Sequence, residues 1–262
     1  MNYFKEISRT LIVGICIALA ASIAACALIF VYGVKSDIYQ PPAVQPPEET
    51  DKPNDPTLSP THDYGDIYID KMIIFCDSAL SGIAQYEILR DNSVIITGKN
   101  GETPLDFNTH SAETSSPAID GKARSITDIV SDQKPQYLLI SIGLNNGVEH
   151  CSEEKFKQYY QKLIDSVTSV VPDTKIILQS VLPVSQSVSK NTPALSIDKI
   201  ERANQWIHEL CTFNSVCYLN TQEILKNEKG YLLGEYDSGD GIHLNEQGYR
   251  AVYEYIKTHG YK

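Results

Sequence analysis

The sequence lacks the short motifs that mark most metal, redox and nucleotide sites. It contains no CxxC pair, no Cys/His spacing typical of a zinc site and no HExxH segment. It also has no Gly-x-Gly-x-x-Gly loop and no P-loop, and the absence of a Gly-x-Ser-x-Gly elbow argues against the α/β-hydrolase fold. We therefore expect an activity that uses no metal or nucleotide cofactor.

Positive charge is scarce. The 262 residues include 22 Lys and Arg against 33 Asp and Glu, a formal net charge of −11. Most of this excess falls in residues 63–262. An acidic domain repels a phosphate backbone, so the composition predicts no nucleic-acid partner. It gives no indication of an oligomeric state.

Charge is absent altogether from residues 11–34, a run of apolar and small side chains. As a helix, a run of this length crosses a hydrocarbon core of ~30 Å. Lys5 and Arg9 precede it, with Glu6 as the one acid, which favours a cytoplasmic position for residues 1–10. The sequence thus predicts a single-pass anchor in the cell membrane with the rest of the chain extracytoplasmic.

Two other interpretations of the apolar run stay open. It could be a cleaved signal peptide, although such peptides have a shorter apolar region. Residues 23–26 (IAAC) also resemble a lipoprotein box, with Cys26 as the lipidated residue, although the residues after Cys26 stay apolar. All three interpretations place residues 35–262 outside the cytoplasm.

Residues 35–62 contain seven of the thirteen prolines, with acidic residues and Ser or Thr between them. This composition predicts a disordered, extended linker that could span at most ~90 Å at ~3.1 Å per residue. A folded domain is then expected over residues 63–262.

Four cysteines lie outside the apolar run: Cys76, Cys151, Cys211 and Cys217. Outside the cell they could form two disulfides, and Cys211 and Cys217 are close enough in sequence to pair. The alternative, which we expect, is that all four are small buried apolar side chains.

Short apolar runs alternate with longer segments in which apolar residues recur with the helical period. This alternation predicts a parallel sheet covered by helices on both faces, with the active site beyond the C-terminal ends of the strands. The predicted strands are residues 71–75, 94–97, 137–142, 175–181 and 216–219. The helical stripes are Phe156, Tyr160, Leu163, Val167 and Val170; Ile197, Ile200, Ile207 and Leu210; and Tyr249, Val252, Tyr253 and Ile256, the last helix beginning after a predicted N-cap at Asn245.

Three residues can form a serine triad. Ser78 directly follows the first predicted strand and begins a helix, which exposes its side chain at the sheet edge. A serine needs a base, commonly a histidine oriented by a carboxylate. His243 has Asp240 three residues before it, and Asp237 is close enough to substitute for Asp240.

The negative oxygen of a tetrahedral intermediate also needs hydrogen-bond donors. The backbone N–H of Ser78, at the start of a helix, is one candidate. The side-chain amide of Asn145, after the third strand, is a second. Gly101, in the loop after the second strand, can supply a backbone N–H, and Gly98 is its alternative.

These residues lie in four segments that resemble the sequence blocks of the GDSL/SGNH hydrolase superfamily. Residues 76–80 (CDSAL) resemble its Gly-Asp-Ser block, and residues 98–103 (GKNGET) its Gly-x-x-Gly-Asp-Thr stretch. Residues 143–146 (GLNN) resemble its Gly-x-Asn-Asp block. Residues 240–249 (DGIHLNEQGY) are similar to its terminal Asp-x-x-His block, and are the most specific of the four.

The resemblance covers about residues 70–258 and implies a flavodoxin-like three-layer α/β/α sandwich with a parallel five-stranded sheet. It implies ester hydrolysis or acyl transfer with Ser78 as nucleophile, His243 as base and Asp240 as the group that orients it. It also implies an oxyanion hole formed by Ser78, Gly101 and Asn145.

Two positions depart from the family pattern: Cys76 stands at the usual glycine and Asn146 at the usual aspartate. A non-glycine residue at position 76 must avoid positive φ. The sequence predicts a serine esterase that removes a small acyl group, such as acetyl, from a cell-surface or dietary glycan. The alternatives are a catalytically degenerate domain that binds glycan or protein, and an O-acyltransferase using the same site.

Overall fold

A parallel sheet of five short strands forms the centre of the part of the chain that the structure describes. This computed structural model describes residues 55–86, 88–89, 94–96, 116–117, 123–144, 147–150 and 152–261. All neighbouring strands are parallel, and the strand order is 2-1-3-4-5, the order of flavodoxin-like doubly wound sheets. The strands are β1 (Met72–Cys76), β2 (Val94–Ile96), β3 (Tyr137–Ser141), β4 (Lys175–Gln179) and β5 (Cys217–Leu219). The prediction of an α/β fold with a parallel sheet is confirmed.

Helices connect the strands and cover the sheet. The described helices are α1 (Asp66–Ile69), α2 (Ser78–Gln85), α3 (Ile126–Gln133), α4 (Gly147–His150), α5 (Glu153–Val170), α6 (Gln186–Asn191), α7 (Ile197–Asn214), α8 (Gln222–Leu225) and α9 (Glu246–Thr258), with 3₁₀ turns at Pro193–Leu195 and Gly234–Tyr236. A two-residue antiparallel ribbon pairs Ser116–Pro117 with Ala123–Arg124. Helices α3, α5 and α7 pack side by side, and α2 packs against α9. Crossovers between parallel strands are right-handed as a rule, and with this strand order the rule places the two groups on opposite faces of the sheet.

The central strands are buried on both faces. Every residue of β1 and β3 is buried, as expected for strands between two helical layers. Their apolar side chains point alternately into the two cores that the helices complete. This rigid centre fixes the positions of the loops that leave β1 and β3 at their C-terminal ends.

The predicted helical stripes are largely confirmed, with exceptions at their edges. The first four predicted residues of the α5 stripe are buried, but Val170 is 43% exposed because the chain turns after it and Val171 takes the buried position. Ile197 and Tyr253 are only partly buried, since each lies at the margin of its helix layer. In α9, Tyr255 is buried instead of Tyr253.

The predicted linker of residues 35–62 extends too far, because its last eight residues pack against the domain. The N–H of Leu58 donates to the carbonyl of Tyr218 at 2.8 Å, and the N–H of Tyr218 donates to the carbonyl of Pro56 at 2.9 Å. Leu58 is buried, and the N–H of Thr61 donates to the carbonyl of Thr258 at 2.6 Å. The sequence reasoning missed this because proline-rich composition does not report contacts with distant residues.

The described residues contain no helix long and apolar enough to cross a membrane. The predicted anchor at 11–34, the preceding residues 1–10 and most of the predicted linker lie outside the described residues, so they stay predictions.

The thiols of Cys76, Cys211 and Cys217 are free. Cys76 and Cys211 are buried, as expected, and Cys217 is partly buried. The Cys211 thiol donates to the carbonyl of Cys217 at 3.4 Å, so the disulfide alternative for this pair is wrong. Cys151 lies outside the described residues.

Candidate active site

The loop before α9 brings His243 and Asp240 into direct contact. The two atoms joined are His243 Nδ1 and Asp240 Oδ2, 2.7 Å apart. The other carboxylate oxygen, Oδ1, accepts the backbone N–H groups of Ile242 and His243, each at 2.8 Å. Asp240 therefore fixes both the backbone and the ring of the histidine it contacts.

This contact decides which ring nitrogen of His243 can act as a base. A carboxylate only accepts hydrogen bonds, so Nδ1 carries the proton and Nε2 is left with its lone pair. Partial burial raises the pKa of Asp240, but the hydrogen bonds from the His243 ring and from the backbone of His243 and Ile242 outweigh it. The net pKa of Asp240 lies well below its usual range, so the carboxylate stays ionised near neutral pH.

The pair lies at the surface of the described residues. The side chains of His243 and Asp240 are 39% and 51% exposed, so solvent screens their attraction. The contact thus contributes more to the orientation of the imidazole than to the stability of the fold.

Asp237, which the sequence offered as a substitute for Asp240, bonds to the backbone of the loop. Its Oδ1 accepts the backbone N–H groups of Gly239 and Gly241, each at 2.8 Å. Gly241 has a φ of +77°, and a Cβ there would collide with Ser185 and Val188 at the start of α6. Asp237 therefore shapes the loop, and the glycine lets that loop lie against α6.

Asn245 closes the loop and begins α9. Its side-chain oxygen accepts the N–H of Gly248 at 3.0 Å, which confirms the predicted N-cap. Its side-chain nitrogen donates to the carbonyl of Glu235 at 2.8 Å, so the cap also ties the helix to the incoming chain.

Ser78 is the first residue of α2 and directly follows the turn that leaves β1, as predicted. Its side chain is partly buried. The N-cap is Asp77, whose carboxylate accepts the N–H of Ala79 at 3.1 Å. The same carboxylate accepts the N–H groups of Gly143 and Leu144 after β3, each at 3.1 Å. Asp77 therefore joins the turn after β1 to the loop after β3.

Cys76, the residue at the usual glycine position, is the last residue of β1 and has no solvent exposure. It is not among the residues with positive φ, so its side chain causes no backbone strain. Burial raises the pKa of its thiol well above the usual value, which keeps the thiol protonated and unreactive.

Of the three predicted oxyanion donors, the described residues include Ser78, and they also include Gly143, which lies two residues before Asn145. Gly143 has a φ of +123°, which favours glycine, and its carbonyl accepts the N–H of Val148 at 2.8 Å. Gly98, Gly101, Asn145 and Asn146 lie outside the described residues, and their roles stay predictions.

The sequence did not predict the contact that Tyr249 makes between the last of the four family-like segments and the first. This α9 residue donates its hydroxyl to the carbonyl of Ala79 at 3.0 Å, one residue after Ser78. A glycine inside an otherwise helical segment, Gly82, was the available signal, because such a glycine often marks close approach of another group.

No group of three or more His, Cys, Asp or Glu side chains within the described ranges is arranged to hold a metal ion. The described site consists of a histidine in contact with a carboxylate and of a serine at the start of a helix.

Comparison with known proteins defines the class. The sequence profile of the GDSL-like lipase/acylhydrolase family matches residues 75–251, most of the chain. The matched range contains Ser78, Asp240 and His243. The chain therefore belongs to the GDSL-like lipase/acylhydrolase family. It is an ester hydrolase.

Several solved structures are similar to the chain at low sequence identity. A protein from Streptococcus pneumonia, provisionally described as a platelet activating factor, is 20% identical with a TM-score of 0.51, over 71% of this chain and 82% of that one. A GDSL-like lipase from Bacteroides thetaiotaomicron is 19% identical with a TM-score of 0.48, over 72% and 86% of the two chains. The periplasmic domain of a lipopolysaccharide acetyltransferase from Salmonella ser. Paratyphi A is 16% identical with a TM-score of 0.48, over 71% and 81%. The similarity to the Streptococcus pneumonia structure concerns the fold alone. No curated protein matches the sequence significantly.

Proposed function

We propose that the chain hydrolyses small acyl esters through a triad of Ser78, His243 and Asp240. The observation that carries this proposal is the 2.7 Å contact between His243 Nδ1 and Asp240 Oδ2, which leaves Nε2 available as a base. The position of Ser78 at the first turn of α2 supports it, since a serine there presents its hydroxyl at the C-terminal edge of the sheet.

The reaction follows from these roles. His243 Nε2 takes the proton of the Ser78 hydroxyl as its oxygen attacks the ester carbonyl. The Ser78 N–H, Gly101 N–H and Asn145 amide stabilise the negative oxygen of the tetrahedral intermediate. The protonated His243 then gives its proton to the leaving alkoxide, and an acyl-serine remains. Water, deprotonated by the same histidine, releases the acid and restores the serine.

The proposed substrate is an acetyl-like ester on a glycan at the cell surface or from the diet. Two features support it. The exposed His243 and Asp240 side chains suit an acyl group carried by a large polar molecule. The predicted anchor at residues 11–34 would hold the enzyme where such molecules are found. If an acceptor hydroxyl replaced water in the second step, the same site would transfer the acyl group.

The test uses the full chain in detergent with 4-nitrophenyl acetate as substrate. We expect hydrolysis by the wild type and its loss in Ser78→Ala and His243→Ala. Ser169→Ala is the matched control, because Ser169 is exposed in the last turn of α5, at the opposite edge of the sheet, where β4 begins. A fluorophosphonate probe should add its mass to Ser78 and to no other residue.

Two outcomes would contradict the proposal. Equal hydrolysis by the wild type and Ser78→Ala would show that Ser78 is not the nucleophile. A folded wild type that neither hydrolyses acetate esters nor takes up the probe would favour the binding domain. Mass spectrometry of the products formed in the presence of a sugar acceptor separates transfer, which gives an acylated sugar, from hydrolysis, which gives the free acid.

The proposed location needs a separate test. Protease added outside intact cells should digest residues 63–262 and leave a small membrane-bound fragment that contains residues 11–34. Protection of the domain until the cells are lysed would show that it faces the cytoplasm.

A further inference from the structure

One carboxylate joins the two segments that carry predicted oxyanion donors. Asp77 is only 3% exposed, and its Oδ1 accepts the N–H of Ala79 in the first turn of α2. Its Oδ2 accepts the N–H groups of both Gly143 and Leu144. In addition, the Asp77 N–H donates to the carbonyl of Ser141 at 3.1 Å. The turn after β1 and the loop after β3 are thus connected by side chain and backbone at one residue.

The loop after β3 is held from its other sides as well. The buried hydroxyl of Tyr160 donates to the carbonyl of Ile142 at 2.6 Å. The carbonyl of Gly143 accepts the N–H of Val148. Residues 142–144 therefore have little freedom, and Asn145 is the next residue in the chain.

We propose that Asp77 is a positioning residue of the oxyanion hole. It sets the distance between the Ser78 N–H, which lies in the turn that Asp77 caps, and the chain that leads into Asn145. This inference rests on the proposed function, because the roles of Ser78 and Asn145 belong to it. Asp77 does not touch the substrate in this role.

The chemistry requires a carboxylate at this position. Three N–H groups converge on two oxygens, and an ionised carboxylate has acceptor lone pairs on both. An asparagine would keep one acceptor for the helix but turn an NH₂ group toward the N–H groups of Gly143 and Leu144. A serine would keep the N-cap but has only one oxygen on a shorter side chain.

The test compares Asp77→Asn and Asp77→Ser in the full chain. Both should lower kcat for 4-nitrophenyl acetate by about 10²-fold, the size of loss that a small misplacement of reacting groups causes, with KM changed far less. Ser169→Ala, in the last turn of α5 at the opposite edge of the sheet, should leave kcat unchanged. The serine variant remains informative if the asparagine variant does not fold.

A second readout separates positioning from general destabilisation. In an Asn145→Ala background the donor that Asp77 positions is gone, so Asp77→Asn should cost only a few-fold more. An Asp77→Asn protein with wild-type kcat would overturn the inference. So would a loss that is equally large with and without Asn145. Failure of the proposed function would give a different result: ester hydrolysis would persist in Ser78→Ala.

Discussion

The ring of Tyr249 occupies the space in which a side chain at Gly82 would begin. Its hydroxyl reaches the carbonyl of Ala79 in the same helix. Burial raises the pKa of Tyr249 to about 12, so the hydroxyl stays a donor. Because α2 begins at Ser78 and α9 closely follows His243, this contact fixes the two helices that hold the proposed nucleophile and the proposed base next to each other.

Gly82→Ala should therefore reduce both stability and activity. The new Cβ would overlap the Tyr249 ring, and the ring cannot move without breaking the bond to Ala79. We expect a loss of about 1–3 kcal/mol in the free energy of unfolding, as for other overpacked cores, together with a lower kcat. Urea denaturation and ester hydrolysis measure the two effects.

Gly234→Ala is the matched control, since a Cβ at Gly234 would meet no atom within 4 Å. It should be close to the wild type in both measurements. A Gly82→Ala protein as stable as this control would show that α2 and α9 can separate without cost.

Asp240→Asn should lower kcat by up to about 10⁴-fold, the loss seen when the carboxylate of a serine triad is neutralised. The amide has nearly the same shape but no longer favours the proton on Nδ1 of His243. Asp237→Asn keeps the oxygen that accepts the two glycine N–H groups and should retain most of the activity. Steady-state kinetics measures kcat for both variants. If Asp237 were the orienting carboxylate, Asp237→Asn would have the lower kcat of the two.

His259 should make stability depend on pH below neutrality. Its ring is 7% exposed, stacks on Tyr255 at 3.7 Å between centroids, and has Nε2 4.0 Å from Glu223 Oε1. Burial lowers the pKa of His259, opposed by the Tyr255 carbonyl and by Glu223. As pH falls below about 6.5, the unfolded chain takes up this proton first, so the free energy of unfolding decreases.

Replacing the imidazole with a phenyl ring, His259→Phe, keeps the stacking and removes the titration. Urea denaturation between pH 5 and pH 8 should show a shallower decline below pH 6.5 for this variant. An unchanged slope in His259→Phe would assign the pH dependence to other groups.

A protein that begins at residue 53 should be more stable than one that begins at residue 63. The shorter protein loses the buried Leu58 side chain, the hydrogen bonds of residues 56–61, and the 3.1 Å contact between Asp55 and His208. Burial of a leucine contributes about 1.5–3 kcal/mol and each hydrogen bond about 1 kcal/mol. The entropy lost when the segment is ordered offsets part of this gain, so we expect a difference of about 2–4 kcal/mol. Equal urea midpoints would mean that residues 55–62 add nothing to the domain.

The strands and the contact between Asp240 and His243 were predictable because their signals are local. Each strand is an apolar run between polar residues, and the five observed strands fall within the five predicted runs to one or two residues. Asp240 and His243 are three residues apart, so a single turn of chain brings them together.

Contacts between distant residues were not predictable in the same way. Nothing in the proline-rich composition of residues 55–62 indicates pairing with Tyr218, and the Tyr249–Gly82 contact spans most of the domain. Val170 continues the apolar period of its helix and was therefore predicted to be buried, but it is exposed. The period alone does not indicate where the sheet beneath the helix ends.

The pairing of Thr57 with Tyr218 has a consequence for neighbouring molecules. A strand at the edge of a sheet offers free backbone groups to which another chain can add. Residues 56–58 cover that edge of β5, and Pro56 has no N–H to offer in turn. The segment that precedes the domain thus also blocks the addition of a strand from another copy to β5.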